Sequence, residues 1–180
     1  MLKNILLAVV ALIAILIVVI ATRPAKFHLE RSLAMPVPAA KVFPLVNDFH
    51  QWRAWSPWEN VDPNMTRTYG GAPAGEGSTY AWVGNKDAGE GRMTIVESRP
   101  AEAVDIKVDF TKPFENTSSS KFEFKPEANQ TVVTWSMGGR QNFIEKAMCI
   151  VFNGKKMIGD EMEKGLSNLK TVAEKSGPAP

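Results

Sequence analysis

The chain has 180 residues, of which 44% are hydrophobic and 22% charged, with a formal net charge of +2: enough for one domain beside an N-terminal segment. No run of Lys and Arg is interleaved with aromatics, so nothing suggests a nucleic-acid surface. Cys149 is the only cysteine, and His28 and His50 stand in no ligand spacing, which excludes intramolecular disulfides and thiolate clusters and leaves no metal or other cofactor expected.

From Ile5 to Ala21 every residue is apolar. At a helical rise of about 1.5 Å per residue this run, with Leu2 and Thr22 at its margins, spans roughly 30 Å, the thickness of a hydrocarbon core. Lys3 and the terminal amine bracket one end, Arg23 and Lys26 the other, where both sets reach headgroups. Val19-Ile20-Ala21 would pass as a cleavage site. The run nonetheless exceeds a usual signal-peptide core and lacks a polar region after it, which favours an uncleaved anchor over residues 1–23 that meets the bilayer through residues 5–21. Residues 24–26 form a linker, 27–175 a single domain and 176–180 a disordered tail. More basic residues follow the anchor (Arg23, Lys26, Arg31, Lys41) than precede it, which argues for a cytoplasmic domain. A short basic N-terminus before a long apolar run has instead the form of a signal anchor, and the expectation leans to export.

Phe27, Leu29 and Leu33 alternate with His28, Glu30 and Ser32 as a first strand. Pro38 suits the first turn of a helix in which Ala39, Val42 and Val46 recur at helical spacing, with Pro44 set to kink or shorten it. Asp48 to Trp55 reads as a second short helix, stopped before Pro57. From Met65 the period becomes two. Tyr80 and Trp82 share a face, as do Met93 and Ile95, then Val104, Ile106, Val108 and Phe110, then Phe122 and Phe124, then Val133, Trp135 and Met137. Gly- and Asn-rich turns separate these runs, so they pair as an antiparallel meander of about seven strands with the first, one face covered and the other wet. From Ile144 the apolar residues Ala147, Met148, Val151, Ile158, Met162, Leu166, Leu169 and Val172 fall at helical spacing, with Asn153-Gly154 marking a break.

That order, an α+β arrangement of strand, two short helices, further strands and a long C-terminal helix, resembles the helix-grip architecture of the START and birch-pollen-allergen superfamily. The local sequence resembles the bacterial SRPBCC or polyketide cyclase/dehydrase-like family. The matching stretches are Phe43 to Val46, Trp52-Arg-Ala-Trp-Ser-Pro-Trp58, Asp62 to Met65, Tyr69-Gly-Gly71, Gly77 to Trp82, Gly84-Asn85, Gly89-Glu-Gly-Arg-Met93, Lys112-Pro-Phe114, Thr134-Trp-Ser-Met137, Lys156 to Asp160 and Glu163 to Leu166. The resemblance implies a curved antiparallel sheet wrapped around the long helix over an apolar cavity. It implies no assigned reaction, since a shared fold does not transfer a function. Many relatives carry lipids or other apolar molecules, and a bacterial inner membrane would be the home of such an anchored protein, with the domain on the periplasmic side.

Three groups are candidates for chemistry. Trp52, Trp55 and Trp58 either line the entry to a cavity or plug the space between short helices and sheet. Tyr80, Trp82, Met93, Phe110, Phe122 and Trp135 face inward, where Met148, Phe152, Met157 and Met162 of the helix add adaptable side chains; they either surround a ligand or simply pack. Glu90, beside Arg92, is a weak catalytic candidate if it turns inward, and otherwise half of an exposed charge pair. Asp48 is expected to cap the short helix, with His50 on its surface. Ser56 lacks a nucleophile-elbow context, and the glycine-rich stretches lack phosphate-binding patterns. The leading expectation is therefore a membrane-anchored module that binds a lipophilic small molecule or lipid. The alternatives are a partner-binding domain with a filled core and a cyclase- or dehydratase-like enzyme using the same cavity.

Overall fold

The computed structural model describes residues 1–175; the tail expected at 176–180 lies outside the described residues. α1 (Leu2–Thr22) has Ile20 as its one buried residue, and its mean hydropathy of 3.4 and length suit a membrane-spanning helix and a signal sequence alike. Seven strands follow: β1 (Lys26–Met35), β2 (Thr66–Gly71), β3 (Ser78–Val83), β4 (Glu90–Arg99), β5 (Ala103–Lys112), β6 (Asn116–Glu127) and β7 (Gln130–Arg140). They form one antiparallel sheet in the order β1-β7-β6-β5-β4-β3-β2. Short turns pair each strand from β2 onward with its chain neighbour. β1 instead closes the far edge against β7, with Lys26 opposite Arg140 and Met35 opposite Thr131.

The period-two reading places the faces correctly. β5 buries Val104, Ile106 and Val108 and turns Lys107 to solvent, while β7 buries Val133 and Trp135. Register shifts in β4, between Glu90 and Gly91 and between Ile95 and Glu97, are irregularities of the kind that bend a strand and help a sheet curve. α4 (Gly154–Lys175) lies over the concave face and buries Met162, Leu166, Leu169 and Ala173, one stripe at helical spacing. The helix-grip fold is thus present.

Between β1 and β2 run α2 (Ala39–Asn47) and two 3-10 helices, Phe49–Ala54 and Pro57–Asn60. α2 buries Ala39, Val42, Leu45 and Val46, and it continues only three residues beyond Pro44. Asp48 caps the first 3-10 helix, its Oδ1 accepting from the His50 amide at 2.9 Å. The second 3-10 helix is a single turn, too short to leave a periodic trace in the sequence.

The C-terminal helix corrects one expectation. It breaks at Asn153, whose φ is +50°, and the first piece, α3 (Phe143–Val151), has no buried residue. Met148, Phe152 and Met157, expected to face the sheet, are exposed; Met162 alone of the four is buried. The left-handed residue redirects the chain, so α3 does not continue the buried stripe of α4.

α4 comes close to the floor of the sheet at Gly165. A Cβ there would meet the Trp135 ring at 2.8 Å and Pro57 Cδ at 3.1 Å. On an open helix Gly→Ala stabilises by up to about 1 kcal/mol. Here overpacking outweighs propensity, and Gly165→Ala is expected to destabilise by about 1–3 kcal/mol, read as a lower midpoint in thermal unfolding of the full chain in micelles followed by tryptophan fluorescence.

Candidate functional site

The cavity that the resemblance implies under the long helix lies instead between the sheet and the 3-10 helices, and no residue of α4 lines it. It occupies about 210 Å³ against β3, β4, β5 and β7, bounded on the other side by the two 3-10 helices. Trp52, Trp58, Tyr80, Trp82, Met93, Phe110 and Trp135 line it, joined by Met65, Val108 and Met137. These are most of the residues that the sequence singles out.

The remaining candidates lie elsewhere. Trp55 is 1% exposed and packs edge-on against Phe122 and Trp135, a core residue behind the cavity wall. Phe122 is fully buried and stacks on Trp135 at 4.7 Å, supporting that ring from behind. Phe152 is 61% exposed beside the helix break and is not among the residues that line this cavity. Glu90 stays at the surface, accepting from Lys112 Nζ at 2.7 Å, so the inward turn that would make it an acid–base group does not occur.

Hydrogen bonds of the indole N–H groups hold the aromatic wall rigid. Trp52 donates to the Val46 carbonyl and Trp55 to that of Leu45, each at 2.9 Å, fixing the first 3-10 helix to the end of α2. Trp82 donates to Ala88 O at 3.1 Å. Its ring crosses Gly91, where a Cβ would come within 2.5 Å of the indole; only glycine leaves that room. Trp135 donates to Ser120 Oγ at 2.8 Å. Ser120 also lines the cavity, and with its oxygen accepting from Trp135 its own proton is left to donate.

The polar centre of the site is Glu59, on the second 3-10 helix. Its carboxylate is buried yet lines the cavity. Oε1 accepts from the Tyr80 hydroxyl and Oε2 from Arg67 Nε, both at 2.6 Å. Arg67 also donates to the carbonyls of Met65 at 2.7 Å and Glu59 at 3.0 Å, which uses its fork on both sides of the bend into β2. The hydrogen bond to Glu59 is the chief reason that the Arg67 guanidinium is held above its ordinary pKa. Burial, followed by the hydrogen bond and the charge of Glu59, pushes the Tyr80 phenol far above the tyrosine range. Burial and the same carboxylate raise Tyr69, whose hydroxyl is buried without a partner and whose ring stacks on His50 at 4.1 Å.

Sequence reasoning passed over this group. A signal was present: Arg67 and Tyr69 share a parity in β2, which turns an arginine to the same face as a tyrosine, and Glu59 directly follows the last tryptophan of a tryptophan-rich stretch. Chemically the group is a carboxylate fixed in place by hydrogen bonds. Both carboxylate oxygens are held by donors, but a carboxylate has about four acceptor positions, so Glu59 can still accept from a ligand hydroxyl or N–H. Asp87 adds an exposed carboxylate at the rim. Among the described residues no group of three or more His, Cys, Asp or Glu is placed to hold a metal.

A family profile described as "Polyketide cyclase / dehydrase and lipid transport" matches residues 26–174. The chain belongs to that family. Solved structures of the same fold include a protein from Thermobifida fusca, 22% identical over 81% of this chain and 92% of its own, with a TM-score of 0.60. A protein from Chromobacterium violaceum is 13% identical over 86% of this chain and its entire length, at 0.57. Ara h 8.0201 is 11% identical over 84% of this chain and 99% of its own, at 0.58. At such identities the likeness is one of fold. No curated protein matches the chain.

Two predictions test the site. Removing one partner of a buried ion pair strands the other, so Glu59→Ala is expected to lower stability by about 3 kcal/mol in thermal or chemical unfolding, against under about 1 kcal/mol for Glu90→Ala at the surface. The chain contains only Tyr69 and Tyr80, and both phenols are raised above their ordinary value. A raised tyrosine favours the folded state fully below its unfolded pKa of about 10, and that contribution is lost as pH rises beyond it. In a Tyr69→Phe variant, alkaline titration should therefore show tyrosinate absorbance only together with unfolding; free titration of Tyr80 in the folded protein near pH 10 would contradict the buried network.

Proposed function

We propose that the chain is a membrane-tethered binding module for a compact lipophilic molecule carrying a hydroxyl or carbonyl group. The observation that carries this is a cavity walled by aromatic and methionine side chains, into which Glu59 and Ser120 bring one acceptor and one donor. Apolar walls supply affinity and a few placed polar groups supply orientation, the usual composition of a small-molecule site. At about 210 Å³ the space is below the roughly 300–1,000 Å³ of drug-sized sites, which favours one- or two-ring compounds or the end of an acyl chain over whole sterols.

The apolar helix at residues 5–21 suits an anchor at a bilayer, where a lipophilic ligand reaches the cavity without crossing bulk water. A bacterial inner membrane with the domain exported accords with the short basic N-terminus before that helix. A cyclase- or dehydratase-like enzyme has less to stand on. Glu90 is tied to Lys112, Glu59 is held by two donors, and Cys149 lies on α3, outside the residues that line the cavity. A partner-binding domain with a filled core fits poorly with an open cavity.

The test is native mass spectrometry of the full chain released from micelles, with organic extraction of what it retains. A stoichiometric lipophilic species is expected, reduced roughly tenfold or more by Val108→Phe, whose ring would occupy the cavity. An empty chain that also ignores lipophilic phenols and short-chain lipids would refute the reading.

A further inference from the structure

Helix α3 is amphipathic yet buries nothing, and its apolar side chains face solvent. Val151 is 68% exposed and Phe152 61%, with Phe143, Ile144, Met148 and Met157 also open. A capping box between Asn142 and Glu145 fixes the helix start, so the helix is well formed. A folded helix with no buried face lacks the packing that gives most helices their stability, which points to a surface missing from the isolated chain.

Two observations identify that surface. The first is position. Lys146 Nζ donates to the carbonyls of Ala21 at 3.3 Å and Arg23 at 3.1 Å, where the apolar run of α1 ends, and α1 and α3 are in contact. Gln141 N donates to Ala25 O at 2.7 Å. α3 is thereby tied to the point at which an anchored chain leaves the bilayer. The second is charge. Residues 20–26 and 138–157 together hold six basic residues (Arg23, Lys26, Arg140, Lys146, Lys155, Lys156) and one acid, Glu145. The remainder of the chain carries fifteen bases against eighteen acids, so positive charge gathers around this apolar face.

We infer that α3 and the turn after it form a second membrane contact, an interfacial helix that lays Phe143, Ile144, Met148, Val151 and Phe152 among the acyl chains of an anionic bilayer beside the exit of α1. An apolar face with a basic rim is that of a helix lying in the plane of an interface. The contact also bears on the cavity. Asn116 donates to Glu145 Oε1 at 2.6 Å and stands opposite Phe110, a lining residue, so docking brings that end of the sheet toward the bilayer.

The inference rests on α1 spanning the membrane, and the test separates the two. In a Cys149→Ser background of the full chain, single cysteines introduced by Leu12→Cys, Val151→Cys and Lys125→Cys carry a nitroxide, in vesicles of phosphatidylcholine and phosphatidylglycerol. Lys125 lies near the β6–β7 turn, at the other end of the sheet from Arg140. The expected result is a label at position 12 in the hydrocarbon core and one at position 125 open to a water-soluble relaxation agent. The label at position 151 should then be at least roughly fivefold less reachable by that agent than the one at 125, at the depth of about 5–10 Å typical of interfacial helices. A core-embedded label at 12 with a water-exposed label at 151 overturns the interfacial helix and leaves the anchor intact. A water-exposed label at 12 overturns both. Shielding at 151 that persists without vesicles, by association of chains, also overturns the proposal.

Discussion

The Glu59 carboxylate governs the layout of the domain's centre. A charge taken from water must be paired and hydrogen-bonded, and here both oxygens find donors, one on β2 and one on β3. The pair pins the second 3-10 helix against the sheet edge. Trp58, on the same turn, packs edge-on against Trp135 at 5.3 Å. The ion pair places a polar group in the wall of the cavity.

Much of the cavity wall is held by local contacts. The N–H groups of Trp52, Trp55 and Trp82 are tied to carbonyls and that of Trp135 to Ser120, the rings pack on one another from Phe49 to Trp135, and Asn168 of α4 donates to the Trp55 carbonyl at 3.0 Å. Glycine permits two close approaches to the indoles, Gly91 under Trp82 and Gly165 under Trp135. A site that barely rearranges loses little on binding, which suits recognition by shape with few polar contacts.

The fold was legible because its signals are periodic: alternation along β5 and β7 and a helical stripe from Met162 to Ala173 are dictated by burial on one face. Most of the cavity wall followed from the same parity. What escaped the sequence has physical causes too. Trp55 and Phe122 have the inward parity of lining residues but lie a layer deeper, and parity does not measure depth. The single 3-10 turn of Glu59 has no period, and the partnership of Glu59 with Arg67 and Tyr80 joins three segments that only the folded chain brings together. Phe152 misled because Asn153-Gly154 marks a break in the sequence but not the direction in which the chain leaves it, and the left-handed Asn153 turns α3 off the line of α4.

The most direct test of the account is the response of the five indole N–H signals when 2-naphthol, a two-ring phenol of suitable size, is added to the nitrogen-15-labelled full chain in nanodiscs. The account predicts saturable shifts for Trp58, Trp82 and Trp135, which line the cavity, with the Trp55 signal, hydrogen-bonded to Leu45 behind the wall, left in place. No saturable shift, or a small uniform drift of all five, would contradict it.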